Sequence, residues 1–188
     1  MPPKVKITRE EIVKVSIELI RKRGIDVLNA RSIAAALNCS TQPVFSNFSN
    51  MEELKNAILI ESERIYMDYA KKQCESGEYP VYKANGMAYI RFAIDEKELF
   101  KLLFMRDRTG ENKSIESNLN NMMEDIVHNN TGMKNEKVSL FHLEMWAYVH
   151  GIASMFATGY FDIEWDIVSK MLTDAYQGLL KQYGIEVK

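Results

Sequence analysis

The chain has 188 residues, 46% of them hydrophobic and 27% charged, with nine Gly, four Pro and two Cys. Those values exclude a mostly disordered, linker-rich or collagen-like polymer, and Cys39 with Cys74 forms neither a disulfide framework nor a CxxC zinc pair. The net charge of −2 is unevenly spread: residues 1–50 carry eight basic against four acidic side chains, while the rest of the chain is acidic, as expected where one end meets a polyanion.

Few turn formers and many Leu, Met, Ala, Glu and Lys predict an all-α protein. Thr8 with Glu11 is a capping-box pattern, and it opens a helix that ends in Arg21-Lys22-Arg23 before Gly24. Its apolar stripe is Ile12, Val15, Leu19 and Ile20, with Ser16 on the same face. A short second helix follows in RSIAAALN, turning at Asn38, a residue type that tolerates the left-handed conformation. Ser40 is placed to cap a third helix, TQPVFSNF, with Pro43 in its first turn. Asn50, with Glu53 at the box position, opens a long helix at about 51–75 whose stripe is Leu54, Ala57, Ile58, Ile65 and Tyr69. Further helices are expected at about 82–95, 98–107, 114–129, 136–158 and 164–183. No apolar run approaches the ~20 residues that span a bilayer. The first apolar segment is broken by charges, so it is no signal peptide. A reduced cytoplasm is the expected location, with no membrane partner.

Two short helices joined at Asn38-Cys39 and backed by a longer one form a helix-turn-helix candidate. Its second helix fits a DNA major groove, where a Gln can read adenine and a Thr can reach bases or phosphates. Thr41, Gln42, Ser46 and Asn47 are expected to face outward, and Val44 and Phe48 inward. Arg31 and Ser32 are expected to hold phosphates through main-chain N–H groups. The same pattern also suits an ordinary pair of helices in a bundle.

Residues 8–55 resemble the N-terminal domain of the TetR/AcrR family of transcriptional regulators. The resemblance rests on the helix ending at Gly24, the R-S-I-A-A-A-L helix, Phe45-Ser46-Asn47-Phe48 at the family's Y-x-x-F place, and Glu52-Glu53-Leu54 at its E-E-L. It implies a three-helix DNA-binding head, residues 1–50, followed by an effector-binding and dimerisation domain, residues 51–188, with the helix at 51–75 as connector. The implied DNA-contacting set is Arg31, Ser32, Ser40, Thr41, Gln42, Pro43, Phe45, Ser46, Asn47 and Lys55. Three departures stand out. Phe45 replaces the usual Tyr, Met51 stands where a Lys often contacts phosphate, and Asn38-Cys39 replaces a common Gly-Val turn.

Residues 80–183 resemble the ligand-binding domain of one subgroup of that family, marked by W-x-x-x-H-G, here Trp146, His150 and Gly151. The resemblance implies a cavity for a small, partly apolar effector. Candidate lining residues are Met67, Tyr89, Phe92, Phe104, Met105, Met123, Trp146 and His150, all of which also fit plain core packing. It implies a homodimer through the last two helices, with Ala153, Ala157, Ile167, Met171, Ala175 and Leu179 as interface candidates.

The whole reads as a one-component, ligand-responsive repressor that binds a pseudo-palindromic operator in double-stranded DNA as a homodimer. The alternative is a helical dimeric ligand-binding protein without operator binding. No nucleophile–base pair, Gly-rich phosphate loop or paired-carboxylate motif supports an enzyme, His128 and His142 lack a metal-ligand pattern, and no residue pattern demands a cofactor.

Overall fold

The structure, a computed structural model, describes residues 7–109, 114–134 and 136–185, with side chains from residue 121 onward in the helix that begins at 114. Lys4 and Lys6 of the basic head lie outside the described residues. The described chain is all helical: α1 (Arg9–Arg23), a 3₁₀ turn (Ile25–Val27), α2 (Ala30–Ala36), α3 (Gln42–Asn47), α4 (Met51–Glu75), α5 (Val81–Asp95), α6 (Lys97–Phe104), α7 (Ser114–Thr131), α8 (Glu136–Ala157) and α9 (Trp165–Gln182). Packing divides it into two compact units. The first takes in the chain to Met67 together with Glu96–Arg106, and the second holds Asp68–Asp95 and the chain from Asp107. The division falls within α4 and sets α6 with the head, unlike the expected border at 50/51, because α6 buries Leu99, Phe100 and Leu103 and is tied to α1 through Glu96.

In the first unit, α1 begins as its sequence dictates. The Thr8 hydroxyl accepts from the Glu11 N–H, and the Glu11 carboxylate accepts from the Thr8 N–H. The buried face is Ile12, Val13, Ser16, Ile17 and Ile20. Val15 and Leu19, expected in that stripe, are only half-buried, because α1 turns the neighbouring face inward. Ser16 is accommodated by donating to the Ile12 carbonyl at 2.7 Å. Gly24 ends the helix at φ 77°, ψ 176°, a conformation essentially reserved for glycine, and a Cβ there would stand 3.0 Å from a Glu98 carboxylate oxygen. Asn38 takes the expected left-handed turn at φ 51°. Helix α4 buries Leu54, Ile58, Ser62, Tyr66 and Ala70; Ala57, Ile65 and Tyr69 are half-buried.

In the second unit, α5 and α8 form the densest pairing, with α9 alongside. Helix α5 buries seven residues, among them Ala84, Met87, Ile90 and Phe92. Gly86 lets α9 and α8 approach: a Cβ there would lie 3.1 Å from Leu172 and 3.4 Å from Val149. A second apolar cluster joins α7, α8 and α9 through Val127, Phe141, Met145 and Leu180.

Candidate nucleic-acid interface and effector site

The helix-turn-helix is built from α2 and α3. Asn29 caps α2: its Oδ1 accepts from the N–H groups of both Arg31 and Ser32, at 3.1 and 3.0 Å. Ser32 completes the box by accepting from the Asn29 N–H, and its hydroxyl faces the Val27 and Asn29 carbonyls. The expectation that these two main-chain N–H groups hold phosphate is therefore corrected, since Asn29 already occupies them. The Arg31 side chain remains exposed and forms no ion pair among the described residues, and Lys55 is likewise exposed and unpaired.

Ser40 does not cap α3. The N-cap is Thr41, in helical backbone geometry and without a side-chain cap, while Pro43 occupies the first turn, where its missing N–H costs nothing. Val44 and Phe48 are each 1% exposed and anchor α3 inward. Gln42 is exposed, and its side chain makes no hydrogen bond among the described residues. Phe45 and Ser46 share the outer side with it.

Ser46 and Asn47 are engaged within the chain. The Ser46 hydroxyl donates to the Gln42 carbonyl at 2.8 Å. The Asn47 amide donates to the carbonyls of Pro43, at 2.8 Å, and Ile7, at 3.3 Å, so Asn47 faces inward, against expectation. Arg9, which sequence reasoning missed, secures the same corner. Its Nη1 donates to the Asn47 carbonyl at 2.8 Å and to Glu53 at 2.7 Å, and its guanidinium lies 4.0 Å over the Phe48 ring. Glu53 also accepts from the N–H and hydroxyl of Ser49. Those bonds, with the Arg9 charge, pull its carboxyl down to about 2. The sequence signal was present in Arg9, Phe48 and Glu53, but nothing local links positions that far apart.

The effector candidates divide between the units. Met67, Phe104 and Met105 belong to the first, and Tyr89, Phe92, Met123, Trp146 and His150 to the second. Three of the latter meet. The Tyr89 hydroxyl lies 2.9 Å from His150 Nδ1, His150 Nε2 lies 3.4 Å from the Ser154 hydroxyl, and the Trp146 ring stacks on the imidazole at 5.0 Å between centroids and 9° between planes. Burial pushes the His150 pKa down, which fits a neutral ring accepting at Nδ1 and donating from Nε2. Trp146 is 43% exposed, so the group is reachable from solvent. Phe92 instead packs edge-on against Tyr69, and Met123 is buried on α7. A second Tyr–His pair went unforeseen: the Tyr82 hydroxyl lies 2.9 Å from His142 Nδ1, and desolvation again depresses the imidazole. The two pairs repeat seven and eight residues apart on the facing helices α5 and α8.

The interface candidates also separate. Ala153 and Ala157 are buried within the chain itself, at 0% and 3% exposure, and offer no surface to a partner. Ile167 is exposed, and Met171, Ala175 and Leu179 are half-buried. Helix α8 presents Leu140, Leu143, Tyr148 and Met155 outward instead.

Among the described residues no His, Cys, Asp and Glu cluster could hold a metal ion, and no helix is long and apolar enough to cross a membrane.

Comparison with known proteins agrees with this architecture. The family described as "Tetracyclin repressor-like, C-terminal domain" matches residues 82–175. No curated protein matches the chain. Among solved structures, a protein of unknown function from Rhodococcus sp. RHA1 is 19% identical, with 95% of this chain and 98% of that one covered at a TM-score of 0.76. A TetR-like transcriptional regulator from the same organism is 17% identical, with the same coverage at 0.71. MexZ, a repressor responsible for antibiotic resistance in Pseudomonas aeruginosa, is 16% identical, with 91% and 94% covered at 0.60. At these identities the likeness is one of fold.

Proposed function

We propose that this chain, which belongs to the Tetracyclin repressor-like C-terminal domain family, is a ligand-responsive repressor that binds a pseudo-palindromic operator as a homodimer. The family is one of non-enzymatic DNA-binding regulators. The observation that carries the reading is the outer side of α3, where Gln42 is exposed and its amide is unengaged among the described residues; Arg31, in the first turn of α2, and Lys55, in α4, are exposed cations without an ion pair among those residues. Gln42 reads a base edge, and Arg31 and Lys55 hold phosphates as point charges. Thr41, Ser40 and Pro43 lie at the same helix start. Phe45 and Ser46 extend that surface, while Ser32 and Asn47 act by fixing the backbone.

Effector binding is placed at Tyr89, Trp146 and His150, where a polar handle sits among aromatic rings. Trp146 and His150 belong to the Trp146-His150-Gly151 motif, and the reading as a member of the W-x-x-x-H-G subgroup rests on that motif. Induction requires that the effector bind a state with α4 displaced more tightly than the DNA-bound state. Dimerisation is assigned to the outward residues of α8 and α9, Leu140, Leu143, Met155 and Ile167. Leu143→Glu tests this without disturbing the chain's own core, and a dimer that survives it in sedimentation would remove the assignment.

The deciding experiment titrates the protein against duplexes from its own upstream intergenic region and against a scrambled control, at two salt concentrations. Selective binding by two chains per site is expected. Gln42→Ala should relax base preference, and Arg31→Ala should weaken all duplexes alike and reduce the salt slope by about 1. Equal binding to every duplex, extended to a genome-fragment selection, would instead favour a ligand-binding protein without an operator.

A further inference from the structure

Within the helix-turn-helix, Phe45 is the large apolar side chain left in water, at 53% exposure. It contributes no ring contact among the described residues, and α3 is anchored without it, through Val44 and Phe48. Phe45 lies three residues from Gln42, so the two share the outer side of the helix. The same helix-bearing unit is cationic and polar at its exposed positions: Arg31 and Lys55 are exposed without acidic partners among the described residues, and Thr41 opens α3. An apolar ring in such a setting gains by burial only if the polyanion facing it carries an apolar group. In the major groove that group is the C5-methyl of thymine, which apolar side chains recognise by contact.

We propose that Phe45 reads thymine: its ring packs on the C5-methyl of a base next to the pair contacted by Gln42. The inference rests on α3 being the DNA-reading helix. A hydroxyl at this position would find phosphate oxygens; a bare phenyl ring cannot, and its contribution is apolar and sequence-dependent.

The full-length protein is used to enrich binding sites from duplexes with a random core. The enriched duplex is then remade with deoxyuridine in place of each thymidine in turn, which removes one methyl and leaves every hydrogen-bonding edge unchanged. For the wild type, one thymine per half-site is expected to be sensitive, with affinity falling about four-fold, the effect of one methyl group returned to water. Phe45→Ala, at a position whose exposure leaves the fold intact, should bind more weakly and be indifferent to the same replacement. Phe45→Leu should retain part of the sensitivity. Wild type insensitive at every thymine, or Phe45→Ala as sensitive as wild type, overturns the thymine assignment while leaving the regulator intact. No sequence enriched at all overturns the DNA-binding reading, and this inference with it.

Discussion

The guanidinium of Arg21 grips the carboxylate of Glu96 through two parallel hydrogen bonds, Nε to Oε2 at 2.8 Å and Nη2 to Oε1 at 2.6 Å. Arg21 stands in the last turn of α1 and Glu96 at the N-cap of α6, so each charge also meets the favourable end of its own helix dipole. Glu96 is the more enclosed, at 13% side-chain exposure against 32% for Arg21. Glu96→Gln keeps the shape and removes the charge. It should lower unfolding free energy by about 1–3 kcal/mol, as for a charge-assisted pair that is partly shielded. Urea denaturation reads this directly. Arg21→Ala should cost a similar amount, and the double variant less than the two together.

Glu53 makes the acid response of the head predictable in sign. Its carboxyl is held down to about 2 by Ser49 and Arg9, against 4.5 for an ordinary glutamate. Unfolding therefore takes up a proton between those values, and the stabilisation, complete above pH 4.5, fades as pH falls toward 2. The urea midpoint of the wild type should drop across that window more steeply than that of Glu53→Gln. Parallel curves would show that the Arg9–Glu53–Ser49 arrangement is absent in solution.

Much of this corner follows from local sequence rules, and the remainder shows where such rules stop. The Thr8–Glu11 box and the left-handed Asn38 were legible because each depends on residues within one turn. Asn29 with Ser32 carries the same local signal, and this capping box competes with phosphate for the N–H groups of Arg31 and Ser32. Periodicity named Ile12, Ser16 and Ile20 on the buried face of α1 correctly but missed which edge of it turns inward: Val13 and Ile17 win over Val15 and Leu19, because the neighbouring helices decide which side is covered. Pairs such as Arg21–Glu96 and Tyr89–His150 join positions far apart in the chain, and no spacing rule reaches them. Of the candidate site, α3 and the Trp146–His150 motif were visible early, whereas the inward turn of Asn47 and the burial of Ala153 and Ala157 are products of tertiary packing.

Asn47 and Gln42 should separate cleanly when substituted. Asn47→Ala removes the amide that bonds the Pro43 carbonyl within α3 and ties the helix to Ile7, and should cost about 1–2 kcal/mol of stability with base preference unchanged. Gln42→Ala should do the reverse. Thermal melting together with binding to single-base variants of the operator would expose an exchange of the two effects.

The Trp146–His150 stack offers an optical readout of protonation. Desolvation lowers the His150 pKa, so its charging, and quenching of the stacked indole, should set in below pH 6.5. Because the folded state disfavours the charged ring, stability from this group is present above pH 6.5 and is lost as pH falls. Emission of a Trp165→Phe variant, which leaves Trp146 as the sole indole, should fall in that range. A midpoint above 6.5 would contradict the enclosed, neutral imidazole.

The buried positions of α4 recur every four residues, from Leu54 through Ile58, Ser62 and Tyr66 to Ala70. A step of four overshoots a full turn by about 40°, so the line winds about 160° around the helix between its first and last members. The ends of this rod are thus phased to nearly opposite sides, and its register is fixed by count. One alanine inserted after Glu61 would leave Leu54 and Ile58 in place yet swing Tyr66 and Ala70 by about 100°. Length and angular phase are locked together in α4, so its sequence has no freedom to lengthen by single residues.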